Sequence, residues 1–203
     1  MRLFKNLLFA AVVGLSAAFV IACSEEESTN QPAKPTVADY KAVPQLKKGN
    51  YWIYILQELN AQGATIKSYT DSVWVVSDTI ENGVHYSVVR SSLSGSFKTY
   101  QDTAGILRND LREVLFAPKT GSLGKESCYS LSVTDTLSNL TFPVGKLVAA
   151  SVVYTKDNTC PIPLDIERKV YYYVNKIGLV GYEDFKAGKV VFESKLLRYK
   201  VKE

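Results

Sequence analysis

The chain has 203 residues, with 24 basic and 20 acidic side chains, one histidine and three cysteines. A net charge of +4, spread without a basic cluster, excludes a nucleic-acid-binding patch. One histidine and three separated cysteines match no metal-ligand spacing, and no phosphate-binding or dinucleotide-binding glycine motif is present, so no metal or cofactor is expected.

The chain opens on Arg2 and Lys5, followed by an uncharged, almost wholly apolar run from Leu7 to Ile21 and then Ala22. That run has 15 residues. A membrane-spanning helix needs roughly 20. Residues 1–22 therefore read as a secretion signal that is removed. The last residues, Val20-Ile21-Ala22-Cys23, resemble a bacterial lipobox. The resemblance implies that the Cys23 thiol is acylated with palmitate-type chains and that Cys23 becomes the new N-terminus. Each buried methylene contributes roughly 0.8 kcal/mol and one chain anchors only marginally. Two or three chains on Cys23 would hold the protein on a membrane. Ser24 stands where inner-membrane retention signals carry Asp, which implies the outer membrane. Ser24-Glu25-Glu26-Glu27 resembles the short Ser-plus-acid signal that sends Bacteroidota lipoproteins to the cell surface. The alternative is an anchor facing the periplasm, with the acids keeping a tether soluble.

Residues 23–45 read as the lipidated cysteine and a flexible tether. Pro32, Pro35 and Pro44 fall among few large apolar residues, so the segment has nothing with which to build a core. As a coil, the residues after Cys23 span roughly 25 Å on average. Residues 46–203 then form a single domain, long enough for a substantial core. Setting aside the charges of residues 1–45 leaves 20 basic and 16 acidic side chains in it.

The domain reads as strand after strand. Tyr51-Trp52-Ile53-Tyr54-Ile55-Leu56 begins the first. Ser72 to Ile80 is β-branched and aromatic, and Glu81-Asn82-Gly83 turns it into Val84 to Arg90. Asn-Gly between two such runs is a strong hairpin signal, because both central residues of a type I′ turn need positive φ. Further strands are predicted near 97–101, 105–108, 114–116, 128–136, 140–142 and 147–154. The last three are predicted near 167–175, 179–185 and 190–201. In the final one, Leu197, Tyr199 and Val201 alternate with Arg198, Lys200 and Lys202, the period of a half-buried strand. Residues 110–116 carry the one helical pattern, a competing reading for a short stretch.

About ten to twelve strands without covering helices imply antiparallel pairing. The predicted fold is all-β: an antiparallel meander forming a curved sheet, a barrel or a half-barrel. A two-sheet β-sandwich is the alternative. Runs such as Val73 to Val76, apolar on both faces, predict a sheet covered on both sides over part of its area.

With Cys23 acylated, Cys128 and Cys160 remain as an even pair in an exported domain, which reads as a disulfide. Two separate buried thiols are the competing reading. No catalytic residues are assigned and an enzyme is not expected. His85 is the single histidine and falls out of phase with apolar Val84, Tyr86 and Val88. Glu183 and Asp184 are adjacent, so on a strand they point to opposite faces and cannot share acid–base work. Of 13 tyrosines, Tyr171, Tyr172 and Tyr173 are consecutive, and Tyr51, Tyr54, Tyr69 and Tyr86 fall on early strands. Such rings either stack on sugars and line an apolar groove, or serve as ordinary half-buried strand residues.

Asp71-Ser72-Val73, Asp78-Thr79-Ile80, Asp102-Thr103-Ala104 and Asp135-Thr136-Leu137 resemble the Bacteroidota O-glycosylation sequon. The resemblance marks Ser72, Thr79, Thr103 and Thr136 as candidate acceptors. Composition alone would give roughly 0.5 matches. The competing reading is that Asp-Ser and Asp-Thr pairs suit a turn entering a strand. The segments Gly49-Asn50-Tyr51-Trp52 and Gly178-Leu179-Val180 followed by a basic strand look like those of Bacteroidota outer-membrane lipoproteins. This resemblance implies location and fold class rather than an activity. The expected function is a membrane-anchored binding or interaction module for a glycan, lipid or protein. The alternative is a carrier or chaperone for lipids or lipoproteins, with an apolar half-barrel cavity. Nothing in the sequence fixes an oligomeric state.

Overall fold

The computed structural model describes residues 46–202, except 102–105, 110–113, 117–120, 127, 135–136 and 162–163. Strands β1 (Tyr51–Leu59), β2 (Thr65–Glu81), β3 (Val84–Ser91), β4 (Gly95–Gln101), β5 (Leu107–Asn109) and β6 (Val114–Phe116) form the first half. The second half comprises β7 (Gly121–Glu126), β8 (Tyr129–Val133), β9 (Ser138–Phe142), β10 (Gly145–Lys156), β11 (Arg168–Val174), β12 (Gly178–Lys186) and β13 (Lys189–Lys200). Every pairing is antiparallel. The strands follow one path, β6-β5-β4-β3-β2-β1-β13-β12-β11-β10-β8-β7, with β9 added beside β10. This is the all-β antiparallel meander read from the sequence, in one open curved sheet rather than a two-sheet sandwich.

The two halves meet where β1 pairs with β13, with Tyr51 opposite Lys200. Asn50, fully buried, secures this seam: its Oδ1 accepts a 2.9 Å hydrogen bond from the Lys202 amide. The Asn82-Gly83 turn forms as predicted, with φ of 50° and 77°, the left-handed pair that a type I′ hairpin requires. Residues 114–116 are a strand, not part of a helix.

The sheet curls strongly. Leu107 of β5 packs in one cluster with Leu131 and Val133 of β8, Ala150 and Val152 of β10, and Tyr173 of β11. Along the sheet, β5 and β11 are seven places apart. Laid flat at about 4.8 Å per strand, they would stand roughly 34 Å apart. Their contact makes one face of the sheet an inner face. The outer face is covered in part: β9 folds back so that Phe142, Leu140, Ala149, Tyr172 and Val180 belong to one apolar cluster. Gly181 admits this layer, since a Cβ there would lie 2.4 Å from the Ser194 carbonyl oxygen and 3.0 Å from the Phe142 ring.

Candidate functional site: an apolar cavity inside the curled sheet

Strand alternation and register decide which side chains face inward. On β1 these are Trp52 and Tyr54, which stand opposite Val73 and Asp71 of β2. Val73 and Val75 pair with Ser91 and Val89 of β3, and Val89 and Ser87 with Phe97 and Thr99 of β4. On the other half, Tyr171 and Tyr173 of β11 face the same side as Val152 and Ala150 of β10. Between them lies a cavity of about 240 Å³. Trp52, Tyr54, Val89, Phe97, Leu107 and Tyr173 are among its walls, with Leu46 and Leu179.

The polar tips of its large rings are used. The Trp52 indole Nε1 donates to the Ile177 carbonyl at 2.7 Å, and the Tyr54 hydroxyl to the Leu179 carbonyl at 2.9 Å. Both bonds bind the first half of the sheet to the start of β12. Burial pushes the Tyr54 and Tyr173 phenols well above the ordinary tyrosine range. These groups stay neutral, as an apolar lining requires. Thr99 also borders the cavity, and its buried Oγ1 has no hydrogen-bond partner among the described residues.

A row of rings continues from the cavity across the inner face. Tyr171 stacks on Tyr182 of β12 at 5.3 Å, and Tyr182 on Phe192 of β13 at 5.6 Å. On its other side, Tyr171 meets Tyr154 of β10 at 5.2 Å, and Tyr154 meets Tyr129 of β8 at 6.4 Å. The consecutive tyrosines are thus divided. Tyr171 and Tyr173 face inward, while Tyr172 lies on the outer face, where its hydroxyl donates to Glu183 at 2.7 Å.

Glu183 and Asp184 do point to opposite faces, and Asp184 lies inward, opposite Lys169 of β11 and Phe192 of β13. Sequence reasoning set Asp184 aside as half of a pair that could not act together. It also passed over Thr99, which gave no signal in the sequence. His85 is exposed on β3, opposite Ile80.

Cys128 and Cys160 stand at disulfide distance, with Cα atoms 5.3 Å apart. The Asp157 amide donates to the Cys128 carbonyl at 2.7 Å and brings the second cysteine's turn alongside β8. Ion pairing with Lys125 and bonds from Thr159 hold the Asp157 carboxyl well below the usual carboxylate range. Ser72 and Thr79 are both half-buried within β2. The lipidation residue Cys23 and the candidate acceptors Thr103 and Thr136 lie outside the described residues.

No family model and no curated protein matches the chain. Among solved structures, it is similar to a candidate lipoprotein of Parabacteroides distasonis, at 14% identity and a TM-score of 0.49, covering 77% of this chain and 97% of that one. A candidate exported protein of Bacteroides fragilis gives 14% identity and a TM-score of 0.49, over 76% of this chain and 96% of that one. MucB of the Pseudomonas aeruginosa MucA/MucB complex gives 9% identity and a TM-score of 0.36, over 81% of this chain and 54% of that one.

Proposed function

We propose that this protein is an envelope lipoprotein whose domain binds an apolar ligand, such as an acyl chain, inside the curled sheet. One observation carries the reading: the cavity of about 240 Å³ walled by Trp52, Tyr54, Val89, Phe97, Leu107 and Tyr173. Pockets of this kind, mostly apolar with few polar groups, suit small ligands rather than a protein surface. The cavity favours a lipid over a glycan or protein as the occupant, and so favours the carrier form of a binding module. The domain holds its ligand rather than transforming it.

In the same reading, Cys23 carries the acyl anchor, residues 24–45 supply reach, and the membrane is the outer one, with the domain at the cell surface. Ser72, Thr79, Thr103 and Thr136 are glycan attachment points on the exported domain.

Titration of the full chain carrying Cys23→Ala with dansyl-labelled undecanoic acid tests the cavity. Saturable enhancement of dansyl emission is expected, lost in Val73→Trp, which fills the space, with the far-ultraviolet circular dichroism unchanged. Equal binding by Val73→Trp, or none by the parent, overturns the reading. Metabolic labelling with an alkyne palmitate tests the anchor: label on the parent chain and none on Cys23→Ala.

A further inference from the structure

The inner face does not end at the cavity. Along β11 the inward residues run Tyr173, Tyr171, Lys169, and along β12 they run Leu179, Tyr182, Asp184 across a bulge. Tyr171 belongs both to the cavity wall and to the row of stacked rings. Asp184 is two residues beyond Tyr182, about 7 Å further along the strand. A continuous path therefore leads from the apolar cavity, along the row of stacked rings, to the Asp184 carboxylate and the Lys169 ammonium.

Asp184 has a buried Oδ1 that accepts no hydrogen bond among the described residues. Its cross-strand neighbours are Lys169 and the Phe192 ring. Burial raises the Asp184 carboxyl above the usual range, and the Lys169 charge only partly opposes this. The Lys169 ammonium stands 5.6 Å from the centre of the Tyr129 ring. A buried acceptor left unpaired is destabilising, and a ligand supplying a donor would recover that loss. Thr99 Oγ1, at the cavity wall, is a second such atom on the same face.

We propose that Asp184 and Lys169 form a head-group subsite, and that the ligand is an amphiphile with an apolar tail and an uncharged, hydroxyl-bearing head of the sugar or polyol class. The inference rests on the cavity holding the tail. The charges select the head. A cationic head would meet Lys169, and an anionic head would meet Asp184. A hydroxyl donates to Asp184 Oδ1 and accepts from Lys169 Nζ at once. The exposed edges of the stacked Tyr182 and Phe192 rings offer apolar contact to the carbon-bound hydrogens of a sugar ring.

Three eight-carbon amphiphiles test this: octyl glucoside, octyl sulfate and octyltrimethylammonium, each below its micelle concentration. The full chain carries Cys23→Ala and Trp74→Phe, so that Trp52, in the cavity wall, reports binding by its fluorescence. Octyl glucoside is expected to bind about tenfold more tightly than either charged amphiphile, a difference of about 1.4 kcal/mol. Asp184→Asn should abolish that preference while all three continue to bind. Equal affinities in the parent, or an undiminished preference in Asp184→Asn, overturns the head-group assignment and leaves the cavity reading standing. Absence of any response to all three overturns the cavity reading as well.

Discussion

The Tyr54 hydroxyl donates to the Leu179 carbonyl at 2.9 Å, across 125 residues of chain. With the neighbouring bond from Trp52 to Ile177, it joins β1 to the start of β12 over the strand that lies between them. Tyr54→Phe removes this bond and keeps the ring. A loss of about 1 kcal/mol is expected, the usual net value of such a bond. Urea unfolding at constant m-value measures it, and an unchanged midpoint would show that the bond contributes nothing.

Gly181 sits where two layers touch. Gly181→Ala would place a methyl group against the Ser194 backbone oxygen and the Phe142 ring. A backbone atom cannot rotate away as a side chain can, so the strand pair must part. The expected cost is about 2–3 kcal/mol, at the upper end of overpacking. A thermal midpoint within error of the parent would falsify the close approach of β9 to β12 and β13.

A disulfide between Cys128 and Cys160, which stand at disulfide distance, would close a loop of sequence separation 32. The chain-entropy model gives such a crosslink about 3–4 kcal/mol. Mass spectrometry after alkylation should find both thiols blocked in protein from an oxidising compartment, and free only after reduction. The double variant Cys128→Ser/Cys160→Ser should unfold at correspondingly lower denaturant. Full alkylation without reductant would sink the crosslink.

Alkaline stability follows from the buried phenols. Burial raises Tyr54 and Tyr173 far above their ordinary range, and pushes Tyr182 up to about 12. In the unfolded chain these groups ionise near pH 10. The native state holds their protons longer, so their contribution is intact below about pH 10 and is lost as pH rises. Each such phenol steepens the fall by about 1.4 kcal/mol per pH unit. Phenolate absorbance should therefore rise in two steps, the later coinciding with loss of circular dichroism. Smooth ionisation of all 13 tyrosines while the fold persists would contradict their burial.

Strands with alternating or β-branched sequence were legible, because each carries its own signal: Tyr51–Leu56, Val84–Arg90 and the basic final strand. Asn82-Gly83 announced its hairpin. Two segments escaped. Residues 65–71 are mostly polar and mostly exposed, and they extend β2 because β1 runs beside them, Leu59 opposite Thr65. In β7, Gly-Ser-Leu-Gly-Lys-Glu has no β-branched or aromatic residue, and Gly124 at φ +103° marks an irregularity in its pairing. Its strand state comes from β8, not from propensity.

The cavity was legible only as a possibility. Aromatic residues on early strands and at 171–173 suggested a groove, but which rings faced it depended on register. The bulge between Tyr172 and Tyr173 changes how β11 meets β12. Leu107 reaches Tyr173 only through curvature accumulated over seven strands, a property of no local window. Asp184 and Thr99 emerge as a polar complement to the cavity only after that curvature places them on one surface.

The seam between β1 and β13 has a mechanical consequence. Tyr51 at the start of β1 lies opposite Lys200 at the end of β13, so the domain's first and last strands are joined at neighbouring ends. A pull between those ends would load the bond from the Lys202 amide to Asn50 first, then the Tyr51–Lys200 pair, and peel the strands apart one rung at a time. Resistance to such a pull is set by single rungs rather than by the whole strand acting in parallel. A load on the N-terminal end alone, shared out through the pairing of β1 with both β2 and β13, meets far more of the sheet at once.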